Sequence, residues 1–213
     1  MKLPRIFIVG AGGFGREVFS WIQALDAKNA EWCFSGFLAE NPTPPLPLNF
    51  PATIVGNPLN FDFRTGDKAI VAIGDPKARE KVSSELDRRG LEFPTFLHPS
   101  VVIGNQCRIG RGCIICPGAV LTTNVTLGDF VIVNLNSTIG HDATIGSYST
   151  LSCHVDVTGW AKVGESVFLG SHASVLPRAK IGAMARVGAG SVVLRAVRPG
   201  TTVFGVPAKQ IIP

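Results

Sequence analysis

Residues 139–163 read IGHDATIGSYSTLSCHVDVTGWAKV, and an aliphatic residue stands at every sixth position of this stretch. The same step runs from Ile103 to Val193 without a break, and all sixteen positions are Ile, Leu or Val. Two residues before each of them, from Val101 to Ser191, the residue is small or is valine. A period of six fits no helix, whose apolar stripe repeats near 3.6 residues. The pattern predicts short strands stacked as a solenoid around an aliphatic centre, with the recurring glycines supplying the geometry of tight corners.

The length of one coil follows from the same pattern, since three six-residue steps make a triangular turn of 18 residues. Residues 18 apart should therefore stack on successive coils, about 4.8 Å apart. Gly159 is expected above His141, and Asn136, His154 and His172 should form a column of their own. That column is either a metal site or, as we favour, a stack of polar residues at a subunit contact. Because it lies on another side of the prism from His141, only a neighbouring subunit could bring the two columns together.

The first third of the chain has a different pattern, which is typical of an α/β unit. Arg5–Val9 is expected to be a buried strand and Arg16–Ala27 a helix, with the glycine motif Gly10–Gly15 between them. A GxGxxG loop in this position lets backbone N–H groups and a helix N-terminus approach a phosphate. A second strand is expected at Cys33–Leu38, followed by a proline-rich loop over Asn41–Pro51.

A further strand and helix follow in the same domain. Lys68–Ile73 is apolar and is closed by glycine, which predicts a strand. Asp75 is suited to the N-cap position of the next helix, with Pro76 as its first residue and Gly90 as its end. These elements amount to half of a dinucleotide-binding fold at most.

The fold class predicted is therefore a small α/β Rossmann-like N-terminal domain over residues 1–97 and an all-β parallel β-helix over residues 98–213. An NAD site would need an acidic residue at the end of the second strand, and Glu40 is the candidate for it. A domain with one mononucleotide half makes NAD binding a minor alternative.

Composition excludes several classes of protein. The net charge is +5 and no run of Lys or Arg occurs, which argues against nucleic-acid binding but suits small polyanionic ligands. No stretch approaches the ~20 apolar residues of a membrane span, so we expect no membrane insertion. Cys113 and Cys116 form a CxxC without a second pair or a nearby histidine, so they are interpreted as core residues in a reducing cytoplasm, and no metal is expected.

A glycine-loop half-Rossmann domain followed by six-residue repeats resembles the bacterial sugar acetyltransferases that include bacillosamine and perosamine N-acetyltransferases and sialic acid O-acetyltransferases. The resemblance covers nearly the whole chain. It implies a left-handed β-helix, a homotrimer, and transfer of acetyl from acetyl-CoA to an amino group, expected at C-4, of a nucleotide-linked deoxyaminosugar. The segments that carry it are Gly10–Gly15, Ala72–Asp75, Asn134–Gly146 with its His141-Asp142 pair, Phe168–Gly170 and Gly205–Lys209.

The same resemblance implies roles for individual residues. His141 would be the general base that takes a proton from the sugar amine, since imidazole titrates near neutrality, and Asp142 would orient it. The 18-residue spacing adds an independent argument, since Gly159, one coil above His141, would leave room for the thioester and offer its N–H to the oxyanion. The nucleotide sugar would be bound by Gly12, Gly13, Phe14, Glu40, Gly74, Asp75 and Asn134. Acetyl-CoA would be bound by Gly159, Ser171, Gly188, Ala189, Gly205, Pro207 and Lys209.

The chain departs from the family pattern in three places. Relatives often have a histidine where this chain has Phe14 and aspartates where it has Ala39-Glu40-Asn41, which leaves the sugar and the nucleotide base open. Some members have a second histidine near the thioester where this chain has Thr150, so that contribution is absent here. Two alternatives to N-acetylation remain, namely O-acetylation of a free sugar such as sialic acid and a non-catalytic trimer that binds nucleotide sugars.

Overall fold

A computed structural model describes residues 3–26, 32–40 and 45–211 of the chain. The chain divides into two compact units. The first runs up to Gly74 and resumes at Ala78–Pro94, and the second consists of Asp75–Lys77 and the residues from Thr95 onward. Within the described residues, none of the helices has the length and the apolar composition needed to cross a bilayer.

The N-terminal unit contains a parallel sheet in the order β3-β2-β1-β4. Strands β1 and β2 have the predicted bounds, whereas β4 ends two residues earlier than predicted. Its elements are β1 (Arg5–Val9), α1 (Gly13–Asp26), β2 (Cys33–Leu38), β3 (Ile54–Gly56), β4 (Lys68–Val71) and α2 (Pro76–Arg88). Helix α2 begins at Pro76, as predicted.

Helix α1 begins at Gly13, inside the glycine motif, and not at Arg16 as the sequence predicted. Gly15 permits this early start, because a Cβ there would lie 1.9 Å from the carbonyl oxygen of Gly10. The first turn of the helix can therefore approach the end of β1 closely. Ala27, the predicted last residue of the helix, and residues 41–44 of the predicted loop lie outside the described part of the chain.

The second unit is a left-handed parallel β-helix built from short strands that recur every six residues from β5 to β21. The strands are β5 (Phe96–Leu97), β6 (Val102–Ile103), β7 (Arg108–Ile109), β8 (Ile114–Ile115), β9 (Val120–Leu121), β10 (Thr126–Leu127), β11 (Ile132–Val133), β12 (Thr138–Ile139), β13 (Thr144–Ile145), β14 (Thr150–Leu151), β15 (Asp156–Val157), β16 (Lys162–Val163), β17 (Phe168–Leu169), β18 (Ser174–Val175), β19 (Lys180–Ile181), β20 (Arg186–Val187), β21 (Val192–Val193), β22 (Ala196–Val197), β23 (Thr202–Phe204) and β24 (Lys209–Gln210). The helix thus starts with Phe96–Leu97, a segment that the sequence analysis placed at the end of the N-terminal domain.

Every third strand belongs to the same sheet, so the prism has three faces. The first face is β24-β23-β20-β17-β14-β11-β8-β5, the second is β21-β18-β15-β12-β9-β6, and the third is β22-β19-β16-β13-β10-β7. Between β5 and β21, residues that pair across neighbouring strands are 18 positions apart in the chain, as in Thr138↔Asp156 and Ile139↔Val157. We call the corners between the first and second, second and third, and third and first faces the first, second and third corners.

The aliphatic positions form the core that the sequence predicted. Leu121, Ile139, Val157 and Val175 are fully buried, and the small residues two positions earlier line the same interior. Ile103, which is 40% exposed, and Ile109, which is partly buried, are the exceptions, because β6 and β7 are edge strands of the second and third faces. Among the described residues Cys113 and Cys116 are buried and form no disulfide, and there is no group of three or more His, Cys, Asp or Glu side chains that could hold a metal ion.

The predicted reason for the recurring glycines was wrong in part. The left-handed corner positions are mostly occupied by residues other than glycine, such as Asp142 with φ 59° and Trp160 with φ 56°. Gly140 has no positive φ. A Cβ at this position would lie 2.8 Å from the backbone nitrogen of Gly159 on the next coil. This glycine is therefore required by the close approach of successive coils and not by backbone conformation.

Candidate active site

The second corner presents His141 to solvent. The residue lies in the turn between β12 and β13, and its side chain is 47% exposed. As the 18-residue step predicts, Gly159 lies directly above it. A Cβ built on Gly159 would be 2.6 Å from Nε2 and 2.7 Å from Cε1 of the imidazole. The imidazole thus lies against the backbone of Gly159, where the Cβ of any other residue would clash with the ring.

The structure gives Gly159 a different role from the one predicted. The space above His141 was expected to admit a thioester, but the imidazole itself fills the position where a side chain would stand. Glycine is needed there to accommodate the ring. Any ligand must therefore approach Nε2 from the exposed side of the corner.

Asp142 holds the other ring nitrogen of His141. Its Oδ2 lies 2.8 Å from Nδ1, and its Oδ1 accepts a hydrogen bond of 2.7 Å from Nδ2 of Asn124. The hydrogen bond from Asn124, followed by that from His141, lowers the pKa of Asp142. The carboxylate therefore stays ionised at neutral pH and accepts a hydrogen bond from Nδ1–H, so a neutral ring carries its free lone pair on Nε2.

Two residues that the sequence analysis did not identify complete this corner. The indole of Trp160 meets the His141 ring edge to face, with 4.3 Å between ring centroids. The guanidinium of Arg178 lies over the indole at 4.6 Å from its centroid. Trp160 and Arg178 follow Asp142 by 18 and 36 residues, so the coil length would have placed them in this column.

The first corner carries several of the residues predicted for acetyl-CoA. Ser171, Gly188 and Ala189 line a groove of about 360 Å³, together with Arg186 and Phe168. The guanidinium of Arg186 lies over the ring of Phe168 at 5.0 Å. The groove is therefore apolar with a cation at its wall, which suits an acyl chain linked to phosphates.

The other residues predicted for acetyl-CoA lie outside this groove's lining. Gly205 is adjacent to the first corner, because its N–H donates to Oγ of Ser191 at 3.0 Å. Pro207 follows it in an exposed turn, and Lys209 lies in β24, which pairs antiparallel with β23. Gly159 belongs to the second corner.

The predicted polar column is present at the first corner. The rings of His154 and His172 are stacked with 4.8 Å between centroids and 5° between planes. Asn136 occupies the equivalent position one coil earlier, with φ 54°. Asn134 lies at the same corner, where its Oδ1 accepts a hydrogen bond from the N–H of Leu135 at 2.8 Å. Within one chain, the whole second face separates this corner from His141.

The N-terminal unit contains a separate cavity of about 550 Å³ at the carboxyl ends of its strands. Most residues predicted for the nucleotide sugar are brought together in it. The predicted residues that line it are Gly12, Gly13, Phe14, Glu40 and Gly74. The N-terminus of α1 opens into this cavity, and its free N–H groups favour an anion. Asp75 and Asn134 are not among the described residues that line it.

Lys81 of helix α2 also lines the cavity and was missed by the sequence analysis. It stands in a helix that had been assigned only structural signals. A lysine beside a helix N-terminus supplies a second attraction for phosphate oxygens. Glu40 is the opposing charge in the same lining.

Arg79 stabilises the backbone of Ile73 and Gly74, two residues that line this cavity. Its side chain is fully buried, and Nη1 donates to the carbonyl oxygens of Ile73 at 2.5 Å and of Gly74 at 3.2 Å. We expect Arg79→Met to lower the free energy of unfolding by about 1–3 kcal/mol, because the carbonyls of Ile73 and Gly74 lose a donor that the protein interior holds in place. Urea unfolding measures this, with Arg88→Met as the control on the same helix, since Arg88 is 72% exposed. Equal effects of the two substitutions would contradict the role given to Arg79.

Separate segments of the chain match two protein families. Residues 5–86 match the PglD N-terminal domain family. Residues 93–123 match the family of bacterial transferase hexapeptide repeats. A curated relative, GDP-perosamine N-acetyltransferase of Escherichia coli O157:H7, is 36% identical over 69 residues, which is 32% of this chain and 31% of that protein. The aligned segment thus spans about a third of that relative's length.

Solved structures resemble the chain over nearly its whole length. PerB from Caulobacter crescentus, in complex with CoA and GDP-perosamine, has a TM-score of 0.87 and 29% identity, and the match covers 97% of this chain and 96% of that one. The acetyltransferase domain of PglB from Neisseria gonorrhoeae FA1090, in complex with acetyl coenzyme A, has a TM-score of 0.87 and 25% identity, with coverage of 98% and 100%. Its first part thus matches the PglD N-terminal domain family, the start of its β-helix matches the hexapeptide repeats, and perosamine N-acetyltransferases are among its homologues.

Proposed function

We propose that the chain transfers an acetyl group from acetyl-CoA to the amino group of a nucleotide-linked amino sugar, expected at C-4. The observation that carries the proposal is the His141–Asp142 pair, whose Nδ1···Oδ2 distance is 2.8 Å at an exposed corner. Relatives support it, since PerB was solved with CoA and GDP-perosamine and the PglB domain with acetyl coenzyme A.

The chemistry follows from the free lone pair on Nε2 of His141. The amine nitrogen attacks the carbonyl carbon of the thioester while Nε2 takes a proton from that nitrogen. The C–S bond of the tetrahedral intermediate then breaks, and the imidazolium returns the proton to the leaving CoA sulfur. Asp142 stabilises the imidazolium in between through Nδ1–H. The N–H of Gly159 would donate to the oxyanion.

Direct transfer is favoured over a covalent acetyl-enzyme. A nucleophile would have to stand within hydrogen-bond reach of His141. Within the described residues, the imidazole hydrogen-bonds Asp142, makes a ring contact with Trp160 and lies against the backbone of Gly159. None of these offers a thiol or a hydroxyl.

The positions of the two corners support a homotrimer. Ser171, Gly188 and Ala189 line the groove at the first corner, whereas His141 lies at the second. A thioester bound along that groove meets an imidazole only if a neighbouring copy presents its second corner. Acetyl-CoA would therefore lie between two β-helices, with Lys209 available to a phosphate.

The cavity of the N-terminal unit would hold the nucleotide part of the acceptor. The N–H groups at the start of α1, near Gly13, and the ammonium of Lys81 face a cavity of about 550 Å³. Both favour a diphosphate. Phe14 offers an apolar surface where relatives have a polar ring, so the sugar would make an apolar contact at this point.

The acceptor class is tested with purified protein, acetyl-CoA and an assay of free thiol release. GDP-, UDP- and dTDP-linked 4-amino-4,6-dideoxysugars are compared with sialic acid and with the matching 4-hydroxy sugars. We expect release with at least one aminosugar nucleotide and at least about 100-fold less with its hydroxy analogue, since an alcohol is the poorer nucleophile. Release with sialic acid would establish O-acetylation instead. A melting-temperature increase with a nucleotide sugar, without thiol release, would establish a binding protein.

A further inference from the structure

Asn124 occupies the corner position one coil below Asp142. The residue is exposed and left-handed, with φ 54°, and its backbone N–H donates to the carbonyl of Asn105 at 2.9 Å. Its Nδ2 donates to Oδ1 of Asp142 at 2.7 Å. The orientation of the amide is determined by chemistry, because an ionised carboxylate only accepts and the amide must present its NH₂ group.

The two oxygens of Asp142 thus have different partners. Oδ1 is held by Asn124 and Oδ2 by Nδ1 of His141. A carboxylate at an exposed corner would otherwise rotate about its last torsion, since that torsion is broad. Two hydrogen bonds on different oxygens fix the plane of the group and direct Oδ2 at the imidazole.

We propose that Asn124 is a positioning residue for the acetyl transfer, which holds Asp142 in the orientation that keeps Nε2 of His141 free to accept a proton. The inference rests on the proposed function and deepens it. An asparagine suits this task better than a lysine or an arginine. It donates a hydrogen bond without a positive charge, so the carboxylate keeps its full charge for the imidazolium.

The decisive variant is Asn124→Asp, which keeps the shape of the side chain and its tolerance of a left-handed backbone but cannot donate. It places a second carboxylate against Asp142. We expect kcat to fall about 10- to 100-fold, as misplacement of a catalytic group does. The KM for acetyl-CoA is expected to stay within about twofold, because the groove at the first corner is unchanged.

Gln106→Glu is the matched control. Gln106 is exposed, left-handed with φ 62°, and stands one coil below Asn124 in the same column. It undergoes the same exchange of an amide for a carboxylate, but it lies two coils from Asp142. We expect wild-type kcat for Gln106→Glu, and the melting temperatures of the two variants are compared to separate a stability effect from a catalytic one.

An NMR measurement separates this inference from the proposed function. The ¹⁵N shifts of the His141 ring report which nitrogen carries the proton, and the ¹³C shift of Asp142 reports its titration. We expect Asn124→Asp to raise the pKa of Asp142, since it loses a donor and gains a like charge. We also expect a mixture of ring tautomers where the wild-type protein has the proton on Nδ1.

The outcomes are distinct. If the wild-type protein transfers acetyl to no acceptor, the proposed function fails, while the ring shifts still decide whether Asn124 orders the pair. Wild-type kcat and an unchanged tautomer in Asn124→Asp would overturn the inference.

A double variant, Asn124→Asp with Asp142→Asn, restores one donor and one acceptor across the coils. It is expected to recover the melting temperature but not kcat, because the charge then stands one coil away from His141.

Discussion

His141→Ala is expected to lower kcat by about 10²- to 10⁴-fold, the range that a general base contributes. The melting temperature should change little, because the imidazole is 47% exposed at a corner and takes no part in the aliphatic core. Steady-state thiol release and thermal unfolding measure the two quantities. The KM for acetyl-CoA should be nearly unchanged, since the groove lies at another corner of the chain.

Two further variants make this result specific. His141→Asn keeps a polar side chain at the corner but offers no basic nitrogen, so we expect it to be as inactive as the alanine variant. His98→Asn changes a histidine on the first coil, whose Nδ1 contacts Ser100 at 2.8 Å, and it should retain turnover. Wild-type kcat in both His141 variants would remove this residue from the mechanism.

Gly159→Ala is expected to reduce kcat by about 100-fold, although it adds a single methyl group. The new Cβ would lie 2.6 Å from Nε2 of His141, which is closer than such atoms approach. The imidazole is the end of a rotatable side chain, so it will move and the β-helix will not. We therefore expect a folded protein with a displaced base, and a crystal structure or the ring ¹⁵N shifts would show the displacement.

The double variant with His141→Ala tests the cause of this loss. Without the imidazole, the methyl group at position 159 meets no obstacle, so Gly159→Ala should cost no further activity in that background. A double-mutant cycle on kcat measures the coupling between the two positions. Additive losses would show that alanine at 159 acts on something other than the ring, such as the N–H proposed for the oxyanion.

The N-terminal cavity shows where the family pattern does not transfer. Phe14 and Glu40 both line it, in places where relatives often have a histidine and aspartates. Under the proposed function, an apolar ring and a single carboxylate would select for different sugar and base contacts than those groups do. The glycine loop, in contrast, would contact any diphosphate through its backbone. We therefore propose that the class of ligand is shared with the relatives, while its identity depends on side chains particular to this chain.

Several residues of the site could not be predicted from the sequence, for physical reasons. Asn124, Trp160 and Arg178 stand at outward corner positions, where no hydrophobic period marks them, although the 18-residue step aligns all three with Asp142. Arg79 and Lys81 lie on α2, and their roles depend on which face of that helix packs against the sheet. Charge and composition do not reveal that face in a helix whose sequence is mostly polar.

Sequence alone determined the β-helix, the 18-residue coil and the stacking of Gly159 on His141, because a strict period of six admits one way to bury its aliphatic residues. It also determined the strand, glycine loop and helix of the first domain, since these follow from local backbone preferences. Only the tertiary structure decided that the imidazole fills the space at Gly159 and that Asn124 holds Asp142. Both depend on side-chain rotamers, which are selected by contacts between coils and leave no periodic trace along the chain.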